Sequence, residues 1–215
     1  MCIRDSIDRV DLCRDGDRAL CAVTDYKSGG KKLDAILVEH GVQLQLLAYL
    51  GALRHWKNPR EKFGAEQLIP AGAFYVNLRG ELEGGQTRDE ALADAQKSPY
   101  RHNGRFDAGA LRHLDSKQAR DQFNYALNKD GSLRSNLAEA LPHQQFEALL
   151  GQMEGRLAEM GRRIFSGAGQ VDPYRKGGAT ACDFCDYRAA CRIDQWTHKW
   201  RVLRPAEKES SLSSS

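Results

Sequence analysis

The sequence contains no apolar run long enough to span a membrane and no apolar segment of the kind found in secretion signals. It also has no internal repeat, no G-x-x-x-x-G-K phosphate-binding motif and no helicase elements, so any ATP hydrolysis would belong to a partner. The net charge of +3 is mild, and it does not by itself indicate nucleic-acid binding. These absences predict a cytoplasmic protein with no membrane partner.

What is present is enough material for one folded domain. The chain has 215 residues, of which 41% are hydrophobic, and this amount supports one core of ordinary size.

A β-hairpin is predicted near the start of the chain. Ile7–Cys13 and Ala19–Lys27 are two β-prone runs, and residues 14–17 between them are rich in turn formers. If Gly16-Asp17 is a two-residue turn, the numbers of two paired residues always sum to the same odd value. Asp8 and Asp25 satisfy this sum, so they lie directly opposite each other.

Two carboxylates and an amine are therefore expected on one face of this hairpin. Side chains alternate along a strand, so Asp8, Asp25 and Lys27 share a face. Two acids on a core-facing surface need a compensating cation, and their hard oxygens suit Mg²⁺ or Mn²⁺. The alternative is a solvated strand-end pair of Asp25 and Lys27, with Asp8 as a surface acid.

A helix and a further strand are expected to follow the hairpin. Residues 42–55 are rich in Leu and Ala and predict a helix, on which Gln45 and Tyr49 lie one turn apart on the same face. Residues 73–79 form another β-like run.

Three cysteines lie close together near the end of the sequence. Cys182, Cys185 and Cys191 have the spacing C-x2-C-x5-C, which indicates a metal or iron–sulfur site. Structural zinc is the main alternative, because thiolates bind both zinc and iron. Either site needs a fourth ligand that this cluster does not supply.

Taken together, these motifs resemble those of the RecB-like nuclease domain of AddB-type subunits, within the PD-(D/E)xK superfamily. The resemblance covers about residues 7–203, and its matching segments are Ile7-Asp8-Arg9-Val10-Asp11, Asp25-Tyr26-Lys27, Gln45-x-x-x-Tyr49 and residues 174–194 with the three cysteines. It implies an α/β fold with a restriction-endonuclease-like core, in which helices flank a central mixed β-sheet. A helical insertion and a C-terminal iron–sulfur cysteine region would be added to this core.

The resemblance also implies a role for each matching residue. Asp8 and Asp25 would bind Mg²⁺ or Mn²⁺ together with the carbonyl oxygen of Tyr26, and Lys27 would be the catalytic lysine. Two helix residues, Gln45 and Tyr49, would line the site and contact DNA. The cofactor held by Cys182, Cys185 and Cys191 would be a [4Fe–4S] cluster.

The implied function is a metal-dependent DNA exonuclease, the partner of an AddA-type helicase–nuclease subunit in double-strand break repair and recombination. Two alternatives remain: a CRISPR-associated RecB-like exonuclease and a non-catalytic DNA-binding scaffold. A genomic neighbourhood with a CRISPR array would indicate the first, and DNA binding without hydrolysis would indicate the second.

The chain departs from the family at its start. Family members carry an upstream helix with a metal-site histidine and a first cluster cysteine, whereas only residues 1–6 precede Ile7 here. We therefore expect an N-terminally truncated chain in which residues 1–6 are non-native, and Cys2 is a poor candidate for the fourth thiolate. Residues 7–203 would form the nuclease domain, with an insertion at about 80–140 and the cysteine region at 172–195, and residues 204–215 a disordered tail.

Local patterns predict further elements after the first helix. Residues 89–96 predict a short helix, and Gly104–Asp107 and Asn128–Gly131 predict turns within the insertion. Residues 146–165 have helical spacing and end at Ser166-Gly167, and their apolar stripe is expected to be core: Leu149, Leu150, Met153, Leu157 and Met160.

Overall fold

The computed structural model describes residues 6–79, 87–90, 92, 100–134, 139–194 and 196–205. Its central feature is a five-stranded mixed sheet with the order β1-β2-β3-β4-β5. The strands are β1 (Arg9–Asp15), β2 (Arg18–Lys27), β3 (Gln67–Asn77), β4 (His102–Asp107) and β5 (Ala140–Leu141). β1–β2 and β3–β4 are antiparallel pairs, whereas β2–β3 and β4–β5 are parallel.

Helices connect and flank these strands. They are α1 (Ala35–Glu39), α2 (Gln45–Arg54), α3 (Pro59–Phe63), α4 (Leu111–Leu114), α5 (His143–Phe165) and α6 (Arg188–Cys191), with a 3₁₀ turn at Ala108–Ala110. A second sheet of β6 (Tyr174–Lys176), β7 (Ala179–Thr180) and β8 (Arg201–Val202) has the order β7-β6-β8. None of the described helices is long and apolar enough to cross a membrane.

The hairpin forms as the sequence predicts. Asp15 pairs with Arg18, so Gly16-Asp17 is the two-residue turn. Gly16 has a φ of +62°, in the left-handed region that favours glycine.

The central sheet is covered on both faces, and the two cores differ in what covers them. On the face that we call the front, α2 packs against β2 and β3, and α5 packs against α2 and against β4 and β5, in a cluster that includes Leu47, Leu50 and Phe146. On the rear face, Phe74 and Phe106 pack with Leu111 and residues of the following loop. Because side chains alternate along a strand, consecutive residues of β2 belong to different cores.

The structure corrects the prediction for Gly104–Asp107. These residues are not a turn but the main part of β4, in which residues 104–106 pair with residues 72–74 of β3. Gly104 faces the β3 backbone so closely that a Cβ there would lie 1.9 Å from the carbonyl oxygen of Ala73. The absence of a side chain at Gly104 therefore allows β3 and β4 to lie close together, and the glycine does not form a turn. The turn at Asn128–Gly131 is confirmed by a hydrogen bond of 3.0 Å from the Gly131 N–H to the Asn128 carbonyl.

The long helix near the cysteine region is confirmed, but its apolar stripe is only partly core. Phe146, Leu150 and Met153 are buried, whereas Leu157 and Met160 are 40% and 43% exposed. The described residues cover the first half of this helix and leave the second half in contact with solvent. Most of the short helix predicted at residues 89–96 lies outside the described residues, as do Cys2 and residues 206–215.

Candidate active site

The structure brings the three predicted hairpin residues together at the open end of the hairpin, where β1 begins and β2 ends. The backbone N–H of Tyr26 donates to Asp8 Oδ2 at 2.9 Å, which holds the first carboxylate against the second strand. Lys27 Nζ lies 2.5 Å from Asp25 Oδ2. Two acids and one amine thus converge on the front face, as the hairpin register predicts.

The charges of this group are strongly coupled. Contact with Asp25 is the main cause that raises the pKa of Lys27 above its ordinary value, and the charge of Asp8 adds a smaller contribution. The lysine is therefore a cation at neutral pH. Asp25 is only 5% exposed, and among the described residues its Oδ2 has no partner beyond the ion pair with Lys27.

The donor set of this group fits a divalent cation of the Mg²⁺ or Mn²⁺ type. Asp25 supplies a buried carboxylate oxygen whose only described partner is the Lys27 ammonium, and Asp8 supplies a second carboxylate nearby. Mg²⁺ in proteins is commonly held by one or two carboxylates, with waters and substrate phosphates completing the octahedron. Within the described residues, no three His, Cys, Asp or Glu side chains form a metal-holding group. Further oxygens would have to come from a backbone carbonyl, water or substrate.

Two amide side chains that the sequence analysis missed hold the loop after β2. Gln43 accepts a hydrogen bond from the Asp34 N–H at 2.8 Å and donates to the Lys32 carbonyl at 2.9 Å. Asn77 accepts from the Lys31 N–H at 2.9 Å and donates to the Lys31 carbonyl at 3.2 Å. The loop that follows Lys27 is thereby fixed at two points. No sequence motif predicts these hydrogen bonds, because neither Gln43 nor Asn77 belongs to a pattern with regular spacing to the loop.

Tyr75 forms the floor of the site. It is 2% exposed, and the Lys27 ammonium lies 5.7 Å from the centroid of its ring. Burial raises the pKa of Tyr75, so its hydroxyl stays protonated. The neutral ring makes a cation–π contact with the Lys27 ammonium and adds no negative charge that would compete for it.

The predicted helix residues lie together on the first two turns of α2. Gln45 Nε2 donates to the Tyr49 hydroxyl at 2.8 Å, as expected for residues one helical turn apart. Tyr49 also packs against the front core that contains β2 and β3. The helix therefore presents this pair on the same side of the sheet as Asp25.

A comparison with known families agrees with this geometry. The family model described as the PD-(D/E)XK nuclease superfamily matches residues 3–192. The chain belongs to the PD-(D/E)XK nuclease superfamily. The mixed sheet flanked by helices is the restriction-endonuclease-like architecture that the sequence predicts for this superfamily.

Curated relatives of this PD-(D/E)XK chain are named as a subunit of an ATP-dependent helicase/deoxyribonuclease. The protein of Moorella thermoacetica is 34% identical over 194 residues, which is 87% of this chain and 16% of the relative. Those of Alkaliphilus oremlandii and Geobacillus kaustophilus are each 30% identical over 96% of this chain and 18% of the relative. The chain thus spans less than a fifth of the length of these relatives.

The three predicted cysteine ligands of this superfamily member lie in one segment but are not assembled into a site. Cys182 and Cys191 are half-buried, Cys185 is exposed, and none of them forms a disulfide with another described cysteine. They are not arranged as a metal-holding group among the described residues. The [4Fe–4S] cluster therefore remains a prediction from the spacing of the cysteines.

Proposed function

We propose that the chain is the nuclease module of an AddAB-type helicase–nuclease, a metal-dependent DNA exonuclease acting in double-strand break repair and recombination. The observation that carries this proposal is the convergence of Asp8, Asp25 and Lys27 at one end of the hairpin. Membership of the PD-(D/E)XK superfamily and relatives named as helicase/deoxyribonuclease subunits support it.

The proposed chemistry assigns one task to each residue. Asp8 and Asp25 hold a divalent cation together with the carbonyl oxygen of Tyr26. That cation, when bound, supplies Lewis-acid polarisation of the scissile phosphate and lowers the pKa of an attacking water. Lys27 remains protonated in contact with Asp25, so it serves as a fixed positive charge rather than as a general base. It orients the water and stabilises the negative charge that develops on the phosphate oxygens.

The helix residues and the partner complete the proposal. Gln45 and Tyr49 contact the DNA strand from α2, and their mutual hydrogen bond holds the amide and the phenol at a fixed spacing. DNA unwinding is supplied by an AddA-type subunit, and the complex works in the cytoplasm.

The test is hydrolysis by charge-removing variants. Lys27→Ala and Asp25→Ala should each lower the rate of Mg²⁺-dependent DNA cleavage by about 100-fold or more, because each removes a charge that acts on the transition state. The assay uses end-labelled DNA and the protein with its proposed helicase partner, whose own nuclease site is disabled. Unwinding should persist in both variants.

The matched control is Lys129→Ala, which removes an exposed lysine from the Asn128–Gly131 turn and should leave cleavage unchanged. EDTA should stop cleavage by the unaltered protein, and added Mg²⁺ or Mn²⁺ should restore it. Continued cleavage by Lys27→Ala would remove the catalytic assignment. DNA binding with no Mg²⁺-dependent hydrolysis would instead support the scaffold alternative.

We further propose, from the spacing of Cys182, Cys185 and Cys191 alone, that these thiolates bind a [4Fe–4S] cluster. Anaerobically purified protein should then contain iron and acid-labile sulfide and absorb in the visible region. Cys185→Ser should remove this absorption, whereas Cys21→Ser should retain it, because Cys21 is buried in the front core far from the segment in sequence. Stoichiometric zinc without iron would reject the cluster.

A further inference from the structure

A cavity of about 260 Å³ lies on the rear face of the central sheet, opposite to the candidate active site. We call it the rear cavity. Its floor is formed by Ala22 and Thr24 of β2 and Phe74 of β3, and its far wall by His102 and Phe123. Thr24 directly precedes Asp25 in β2, so the rear cavity and the acidic site share a strand but occupy opposite faces.

Two residues lining the rear cavity carry buried polar atoms that have no hydrogen-bond partner in the described part of the chain. Thr24 is 1% exposed, and the first of these atoms is its hydroxyl oxygen. The second is His102 Nδ1. A buried polar atom that makes no hydrogen bond costs roughly 1–3 kcal/mol. Two such atoms at one cavity would gain hydrogen bonds from a ligand that reaches both.

Part of the remaining wall is aromatic and aliphatic, and Gln122 and His113 add polar groups. The rings of His102 and Phe123 are stacked with their centroids 4.7 Å apart, and Phe74 meets both rings edge-on at 5.3 Å. Leu20 and Leu114 add aliphatic surface. Such walls favour a flat ring system that can stack or make edge contacts.

The charges around the rear cavity do not favour an ion as its occupant. Arg9 is the one Lys or Arg side chain that lines it among the described residues, and Asp11 neutralises it at 2.8 Å. Burial lowers the pKa of His102, so this imidazole is neutral at pH 7. The Cys and His side chains of the walls do not form a metal-holding group within the described part of the chain. A purely apolar ligand would leave Thr24 and His102 unsatisfied.

We propose that the rear cavity binds a single nucleobase. A nucleobase is flat and uncharged, and its edge carries hydrogen-bond donors and acceptors for the Thr24 hydroxyl and His102 Nδ1. The stacked aromatic wall provides the apolar contact that bases make in single-strand sites. The choice of a nucleobase among flat heteroaromatic molecules rests on the proposed function as a DNA nuclease.

The experiment is isothermal titration of the purified protein with adenosine, guanosine, cytidine and thymidine, which carry no phosphate. At least one nucleoside should bind with a dissociation constant in the millimolar range or tighter. Thr24→Val and His102→Phe should each weaken this binding about fivefold, because each removes one hydrogen-bonding group and keeps the shape. Ala22→Leu should abolish it, because the larger side chain fills the cavity floor.

Two control variants establish that nucleoside binding belongs to the rear cavity. Thr180→Val removes a hydroxyl that is bonded to Asp183, outside the rear cavity, and should not affect nucleoside binding. Lys27→Ala should bind nucleosides normally even if cleavage is lost, so failure of the proposed nuclease activity and failure of the rear cavity are distinguishable.

A hexanucleotide of thymidine, titrated in EDTA, identifies the source of the base. If Ala22→Leu weakens hexanucleotide binding as well, the base belongs to a DNA strand; if only nucleoside binding is lost, the ligand is a free nucleoside. Circular dichroism establishes that the variants are folded. Absence of nucleoside binding, or equal binding by Ala22→Leu and the unaltered protein, overturns the proposal.

Discussion

At the scale of single residues, several carboxylates in this chain are held close to a cationic or potentially cationic partner. Asp107, the last residue of β4, is 6% exposed, and its Oδ2 lies 2.6 Å from His143 Nδ1. Its Oδ1 accepts from the Gly109 N–H at 2.8 Å. His143 opens α5, where the helix dipole disfavours a positive charge, so the carboxylate compensates the dipole.

The Asp107 carboxylate raises the pKa of His143, chiefly through the hydrogen bond, and this predicts a pH-dependent contribution to stability. The contribution is fully present below about pH 6.5, the ordinary histidine pKa, and is lost as pH rises through the higher value of the folded protein. NMR titration should place the His143 pKa above the ordinary value. Asp107→Asn should lower the His143 pKa, and Asp130→Asn in the distant turn should not. An unchanged His143 pKa in Asp107→Asn would contradict this cause.

At the scale of secondary-structure elements, the chain uses glycine for two unrelated purposes. Gly104 lets β4 approach β3, as the 1.9 Å between its virtual Cβ and Ala73 O shows. Gly151, by contrast, lies within α5 with nothing within 4 Å of an added Cβ. Replacement of glycine by alanine is therefore expected to change the free energy of unfolding in opposite directions at these two positions.

Gly104→Ala should lower the free energy of unfolding by about 3 kcal/mol, because the β3 backbone cannot move away without breaking the sheet pairing. Gly151→Ala should raise it by about 0.5–1 kcal/mol, since alanine is the better helix former and finds open space. Urea denaturation followed by circular dichroism measures both. Equal effects of the two substitutions would mean that β4 does not pack on β3 as described.

At the scale of the whole molecule, the cysteine-bearing segment is joined to the loop that follows the candidate active site. The Lys176 ammonium in β6 pairs with Asp34, whose other carboxylate oxygen caps α1 through the N–H groups of Ile36 and Leu37. Burial of Asp34 acts to raise its pKa, but the contacts with Lys176 and the two N–H groups outweigh this and lower it. A second connection runs from His40 Nε2 to the Arg204 carbonyl at 2.8 Å.

Lys176→Met should therefore loosen two distant segments together. Hydrogen–deuterium exchange should increase at residues 28–34 and 174–176 and stay unchanged in β1 and β3, because the strand ladders do not depend on this pair. The matched control is Arg175→Met in the same strand, whose guanidinium bonds only within its own hairpin among the described contacts, to the Gly177 carbonyl. Faster exchange confined to residues 174–176 would show that the ion pair does not couple the two segments.

The amino-acid sequence is sufficient to predict the hairpin, its two-residue turn and the shared face of Asp8, Asp25 and Lys27. These follow from local rules, since strand alternation and turn length fix which side chains are neighbours. It also determined the long helix α5, because helical spacing is a local pattern.

The other features depend on contacts that form only in the folded protein. Gly104–Asp107 becomes a strand because β3 offers it a pairing edge, although its composition is typical of a turn. The end of α5 stays exposed because an apolar stripe does not specify what covers it. Contacts between residues that are distant in the sequence place Gln43 and Asn77 beside the loop after β2. Such contacts also bring Thr24 and His102 together at the rear cavity. No local sequence pattern encodes contacts of this kind.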